Sequence, residues 1–427
     1  MPSRAPSSPP VPPSGSVAVV GAGLAGARTV AALRSLGFEG TVTLLGAEGV
    51  APYDRPPLSK ELLDRPGPAW LSDELGIDVT ALVDDLRLDD PAVALGTGSD
   101  DARPAVRTRS GGQVVADAVV LAVGSEPLRP AGWEAARVLH TADDAAALRA
   151  LVRPGARLVV VGAGWIGAEV AGVAAGAGAL VTVVEAGRAP LERQLGGVVG
   201  AHLARWYDDA GVRLVTGSAV VDVRADGVRL ADGTDLPADV VLAAVGARPA
   251  TGWLDGAVPR DARGTVPVDA SGAVHGVPGV WAVGDCATRE HPLLGHVPGG
   301  HWSAALQDPE PTARAILGLD AAPGVAHAPY VFSRQLGHDL ALLGVPGDGD
   351  AVLFRGDPSG GASLGWSAFY LDPGDAASGV VGVRAVLLVD SPRDVGPVRK
   401  AMNRPQPFRL DLAVALDPAR HLRDAIA

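Results

Sequence analysis

The stretch "RLVVVGAGWIGAEVAGVAAGAGALVTVVEAG", residues 157–187, decides the fold. A run of five residues, four of them apolar, enters Gly162, Gly164 and Gly167, a small-residue run follows, and "LVTVV" closes the unit at Glu185. Short apolar runs bounded by glycine predict buried strands, and the longer Ala-rich run between them predicts a helix. The result is a β-α-β unit with G-x-G-x-x-G at the first turn. In such a turn the first two glycines let the backbone approach a pyrophosphate, and the third lets helix pack on strand. The helix N-terminus adds a positive field for the anion.

The same arrangement occurs earlier in "SVAVVGAGLAGARTVAAL", residues 16–33, with Gly21, Gly23 and Gly26. Each copy is followed downstream by a second matching strand. "ADAVVLAVGSEPLRP" (116–130) follows the first and "ADVVLAAVGARPA" (238–250) the second. Two corresponding pairs in one order indicate a duplicated domain, since the spacing is far longer than a solenoid repeat. At a strand tip Glu185 is placed to accept hydrogen bonds from an adenosine ribose and to repel a 2′-phosphate, which favours NADH over NADPH despite Arg188 close behind. Gly284-Asp285, ending the strand in "GVPGVWAVGDCA" (276–287), is a turn or a cap in the simplest reading, or a carboxylate for the ribityl chain of a flavin.

Composition fits this architecture. The 427 residues exceed one ordinary domain, and 47% are hydrophobic, mostly aliphatic, as suits parallel strands buried on both faces. No apolar run approaches the roughly 20 residues of a membrane span. Net charge of −12 argues against nucleic acid and anionic membranes as partners. The Pro/Ser-rich opening, residues 1–16, reads as a disordered tail without a signal peptide's apolar core. A single cysteine, Cys286, excludes an internal disulfide and a two-cysteine redox centre, and suits a cytoplasmic setting. Only two lysines, Lys60 and Lys400, occur among 36 cationic residues, which singles Lys60 out for inspection. His291, His296 and His301 recur at a spacing that matches no helical face, so no metal site is expected.

The segments "VVGAGLAG", "PYDRPPLSKELL", "VVVGAGWIGAEVA", "VTVVEAG", "AAVGARP" and "GVPGVWAVGDCA", with the looser "GHWSAALQ" and "PYVFSRQ", carry a family resemblance. The chain resembles the FAD-dependent, NADH-using ferredoxin reductases of P450 and Rieske oxygenase systems, within the glutathione-reductase-like fold. That resemblance implies an α/β chain with two Rossmann-like dinucleotide-binding domains and a C-terminal α+β domain. The expected boundaries are an FAD domain at 17–128 and 251–322, an NAD domain at 129–250 and the C-terminal domain at 323–427.

It further implies that Gly21, Gly23, Leu24, Ala25 and Gly26 hold the FAD pyrophosphate, and that Arg55 and Lys60 approach the flavin. Glu48 stands in for the ribose acid missing at Ala47. Gly284, Asp285, His301, Trp302 and Phe332 line the flavin site. Gly162, Gly164, Trp165, Ile166, Gly167, Glu185 and Gly246 hold NADH. The family pairs the Lys60 position with a glutamate at the Glu169 position, which makes Lys60 and Glu169 the candidate catalytic pair. A carboxylate in the first turn of a helix, favoured by the dipole, is the plainer reading of Glu169. Disulfide-reducing relatives carry cysteine on the segment before the lysine, and residues 52–63 have none.

The sequence departs from the family at Gly300, where an acid is usual, at Phe332, where tryptophan is usual, and at Arg334, where aspartate is usual. These positions put the electron acceptor in question. The expected acceptor is a ferredoxin-type iron–sulfur protein. A flavin oxidase or small-molecule reductase, and a flavin-binding protein with little turnover, are the alternatives. The chain is expected to be a monomer or a homodimer.

Overall fold

The structure is a computed structural model and describes residues 9–97, 103–321, 327–360, 365–372 and 379–427. The chain divides into two compact units. The first comprises residues 1–54, 69–126 and 248–326; the second comprises 55–68, 127–247 and 327–427.

In the first unit, five parallel strands lie in the order Val280–Ala282, Ala118–Leu121, Ser16–Val20, Thr41–Leu45, Asp85–Arg87 among the described residues. Ala18, Val19, Val119, Val120 and Leu44 have no exposed surface, the consequence of burial on both faces of a parallel sheet. The helix Leu24–Ser35 covers one face, burying Ala27, Val30 and Leu33 against Val19, Val42 and Ile316. An antiparallel ribbon of Ala92–Gly96, Ala105–Thr108 and Gln113–Val115 belongs to the same unit.

The described chain begins before this sheet. Val11 is buried and its N–H donates to Ile316 O at 2.8 Å, so residues 9–15 do not form the tail expected through residue 16. Residues 1–8 of that stretch lie outside the described residues.

The second unit repeats the plan. Four parallel strands run Arg213–Val215, Leu180–Val184, Arg157–Val161, Val240–Ala243, with the helix Trp165–Gly176 after the second glycine turn. An antiparallel sheet built from Tyr330–Gln335, His338–Gly344, Val380–Val389, Trp366–Leu371 and Ala351–Arg355 completes the unit, with Arg409–Asp411 paired to its longest strand. The segment expected as a C-terminal domain therefore shares a core with residues 127–247. Leu336, Leu340, Trp366 and Tyr370 are buried with Ala171, Leu195, Leu203 and Trp206. The phenol of Tyr370 donates to Leu195 O at 2.8 Å.

The chain also crosses early from one unit to the other. Tyr53–Asp54 pairs with Ala69–Trp70 in the first unit, while residues 55–68 between them belong to the second. Lys60 thus belongs to the same unit as Glu169. Among the described residues, no helix is long and apolar enough to cross a membrane.

Candidate active site

Both glycine turns have the geometry that phosphate recognition requires. Gly21 has φ +114° and Gly162 φ +105°, a region open to glycine, and each N–H closes the turn onto the neighbouring strand, at Leu45 O (2.8 Å) and Val184 O (2.7 Å). The third glycines are fixed by packing. A Cβ at Gly26 would lie 1.9 Å from Gly21 O, and one at Gly167 would lie 2.1 Å from Gly162 O. The middle glycines differ, since a Cβ at Gly23 or Gly164 would meet nothing within 4 Å. Neither following helix has an acid in its first turn or a side-chain cap, so no first-turn side chain competes for the amides at either N-terminus. These cradles fit a pyrophosphate.

Other predicted residues of the first unit gather around the strand end at Gly284. Asp285 is half-buried; its Oδ1 accepts from Gly300 N at 3.1 Å and its Oδ2 from Ser125 Oγ at 3.0 Å. His301 caps the helix Trp302–Gln307, its Nδ1 accepting from Ala304 N at 3.1 Å. That bond assigns the ring proton to Nε2, which is buried without a hydrogen-bond partner among the described residues. Burial also pushes the imidazole below its ordinary value, so the ring is neutral and carries an orphan donor. A buried donor left unpaired is costly, so the position fits a water or a bound group that accepts a hydrogen bond.

Trp302 Nε1 donates to Asp54 Oδ1 at 2.8 Å. Glu48 accepts from the Tyr53 hydroxyl at 2.5 Å. Leu24 and Ala25 are buried at the start of the first fingerprint helix.

In the second unit, Glu185 sits at the strand tip as expected. Its Oε2 accepts from Ala163 N inside the glycine turn and its Oε1 from Gly187 N, each at 2.7 Å. Ile166 is 45% exposed beside the turn, and Trp165 is half-buried. Gly246, at φ +112°, accepts from Leu128 N at 2.9 Å. Phe332 and Arg334 both point outward on Tyr330–Gln335, and Arg334 is paired with Asp339 at 2.7 Å.

Lys60 and Glu169 are brought together. Lys60 ends the short helix Pro57–Lys60, which the rigid Pro56-Pro57 pair initiates. Its Nζ lies 2.9 Å from Glu169 Oε1, with side-chain exposures of 16% and 3%. Glu169 is the fifth residue of its helix and lies beyond the first turn, so the dipole reading of this carboxylate is replaced by an ion pair. Two hydroxyls complete its shell, Ser59 Oγ on Oε2 and Ser333 Oγ on Oε1, both at 2.5 Å. Gln335 Nε2 donates to Ser333 Oγ at 3.0 Å, orienting that hydroxyl. Close approach is possible because of Gly172, where a Cβ would lie 2.8 Å from Leu336 N. The Arg55 guanidinium donates to His140 O.

Sequence reasoning did not single out Ser59, Ser333 or Gln335. Alternation along "YVFSRQ" would have placed Ser333 and Gln335 on one face. Cys286 is fully buried, its Sγ donating to Leu121 O and Val283 O at 3.3 Å, and burial pushes the thiol up to about 12. It has the environment of a packed side chain and not that of a nucleophile. Among the described residues no group of three His, Cys, Asp or Glu could hold a metal ion.

Two dinucleotide cradles on duplicated parallel sheets define an oxidoreductase fold built to use two nucleotide cofactors. The chain belongs to the pyridine nucleotide-disulphide oxidoreductase family, whose pattern matches residues 15–308. It is 34% identical to a probable ferredoxin reductase, CtmF, of Castellaniella defragrans over 401 residues, 88% of this chain and 90% of that protein. It is also 34% identical to the ferredoxin–NAD(+) reductase component of the anthranilate 1,2-dioxygenase system of Burkholderia cepacia, covering 90% of this chain and 92% of that one. Among solved structures, Fdr9 is 35% identical with a TM-score of 0.84, covering 96% of this chain and 99% of that one. The putidaredoxin reductase–putidaredoxin complex matches at 26% identity and TM-score 0.81, covering 96% and 98%.

Proposed function

We propose that the protein is an FAD-dependent reductase that takes electrons from NADH and delivers them to a ferredoxin-type iron–sulfur protein. The observation that carries this reading is the buried Lys60–Glu169 pair on a segment that has no cysteine. In this reading a flavin and a nicotinamide occupy the two cradles, and a reductase of this kind without a thiol must release its electrons directly. When bound, the flavin supplies the conversion of a two-electron donor into single electrons.

The chain's own residues position and polarise. In this reading Gly21, Gly23 and Gly26, with the helix N-terminus at Leu24, hold the FAD pyrophosphate. Asp285 and the Nε2–H of His301 hold flavin-side polar groups. The Lys60 ammonium stabilises negative charge developing on the reduced ring. Glu169 keeps that ammonium in place, itself held by Ser59 and Ser333. Glu185 accepts from the adenosine ribose of NADH, and its charge disfavours a 2′-phosphate. The lone, buried Cys286 accords with a cytoplasmic setting.

Anaerobic titration of the FAD-loaded protein with NADH tests the reading, with NADPH alongside. Bleaching by NADH, and reoxidation by an added iron–sulfur protein faster than by oxygen, is the expected result. Stoichiometric peroxide or organic product without an iron–sulfur protein would place the chain with oxidases or small-molecule reductases instead. No bleaching would leave it a flavin-binding protein.

A further inference from the structure

Glu185 is not alone at the end of its strand. The turn after it brings a second carboxylate, Glu192, back to the same glycine. A Cβ at Gly187 would lie 2.9 Å from Glu192 Oε2 and 3.1 Å from Glu185 Oε1, so the two acids face each other across this residue. Glu192 is also the partner of the one cation in the turn. Its Oε2 accepts from Arg188 N at 2.7 Å, and its Oε1 lies 3.3 Å from Arg188 Nε and 3.2 Å from a terminal nitrogen. Arg188 is otherwise open to solvent, with a side-chain exposure of 90%. The backbone N–H and guanidinium of Arg188 hold the Glu192 carboxyl below its usual range, so it is charged at neutral pH.

An arginine three residues beyond the strand-tip acid is a natural ligand for the 2′-phosphate of NADPH, because a guanidinium matches phosphate geometry. Here it is already occupied. We propose that Glu192 is a specificity-determining residue for the pyridine nucleotide. It holds Arg188 away from a 2′-phosphate and adds a second negative charge beside Glu185. Discrimination then comes from a repulsive element as well as from the ribose contact. The inference rests on the assignment of the second cradle to NADH.

The test is calorimetric binding of adenosine 2′,5′-bisphosphate and of 5′-AMP to the FAD-loaded full chain, for wild type, Glu192→Gln, Arg188→Gln and the double variant. Glu192→Gln keeps the size and the acceptor for Arg188 N. It is expected to tighten adenosine 2′,5′-bisphosphate relative to 5′-AMP by about tenfold, an effect that shrinks as salt rises. Arg188→Gln is expected to remove most of that gain in the Glu192→Gln background and to do little in the wild type. An unchanged ratio in Glu192→Gln, or equal effects of Arg188→Gln in both backgrounds, would overturn the proposal. A wild type that binds the two probes equally would instead overturn the NADH assignment, so the two failures are distinguishable. Circular dichroism of each variant separates loss of fold from loss of discrimination.

Discussion

Replacing Glu169 by glutamine removes one charge from the Lys60 site and little else. The amide has the same shape: its oxygen still accepts from one of the serine hydroxyls that donate at 2.5 Å, and the other hydroxyl turns to accept from the NH2. What is lost is the carboxylate 2.9 Å from Lys60 Nζ. Breaking a fully buried ion pair by removing one partner costs about 3–5 kcal/mol, because a desolvated charge is left behind. Lys60 retains 16% side-chain exposure, so water relieves part of that penalty. The expected loss is about 2–3 kcal/mol.

Lys60→Met should cost less, about 1–2 kcal/mol, since Glu169 keeps two hydroxyl donors. The double variant Lys60→Met/Glu169→Gln should be more stable than Glu169→Gln alone, because no orphan ammonium remains. The assay is urea unfolding of the flavin-free protein, followed by circular dichroism, with the four proteins compared as a cycle. All the residues concerned lie in one compact unit, so one transition reports them. Glu169→Gln within about 0.5 kcal/mol of wild type, or Lys60→Met the costlier change, would refute the reasoning.

Four other outcomes follow from the same geometry. Gly26→Ala, whose Cβ would lie 1.9 Å from Gly21 O, should cost flavin content on purification, while Gly167→Ala, at 2.1 Å from Gly162 O, should leave flavin bound and weaken NADH by about tenfold or more. Cys286, fully buried with its thiol pushed up to about 12, should resist a disulfide reagent in the native state, and Cys286→Ala should reduce its flavin with NADH like the wild type. His301 is depressed below its ordinary 6.5, so the unfolded chain binds a proton that the folded one does not. Its contribution to stability is complete above pH 6.5 and lost as pH falls below it, a loss that His301→Asn should remove from the pH profile of thermal midpoints. Ser333→Ala should slow flavin reduction by NADH less than Glu169→Ala does, by stopped-flow, because one of two hydroxyls on the carboxylate remains.

The duplicated β-α-β plan was legible because its signals are local. The glycines at Gly21 and Gly162 require positive φ, and the runs before them are buried on both faces, as a parallel sheet demands. Glu185 was legible for the same reason, lying at a fixed place on a strand tip. Lys60 and Glu169 are 109 positions apart, so their contact was available only through family resemblance. Ser59 and Ser333 were missed because serine is a common surface residue and its role depends on which long-range neighbour it faces.

Glu192 was hidden differently. A glutamate four residues after an arginine reads as an ordinary helix-surface pair, and only the turn at Gly187 aims it at Glu185. The unit boundary was also beyond local reading. Assigning residues 327–427 to the same unit as the second cradle depends on a shared core, which no single segment announces.

The central claim is that two cradles in one chain pass electrons from NADH through flavin to an iron–sulfur partner, with Lys60 held by Glu169 at the flavin. Anaerobic stopped-flow reduction of the FAD-loaded protein by NADH tests it most directly, with Glu169→Gln measured beside the wild type. The account predicts rapid bleaching by NADH in the wild type, slower bleaching in the variant, and recovery of colour when an iron–sulfur protein is added. An FAD-loaded wild type that keeps its colour with NADH, or a variant that bleaches at the wild-type rate, would contradict it.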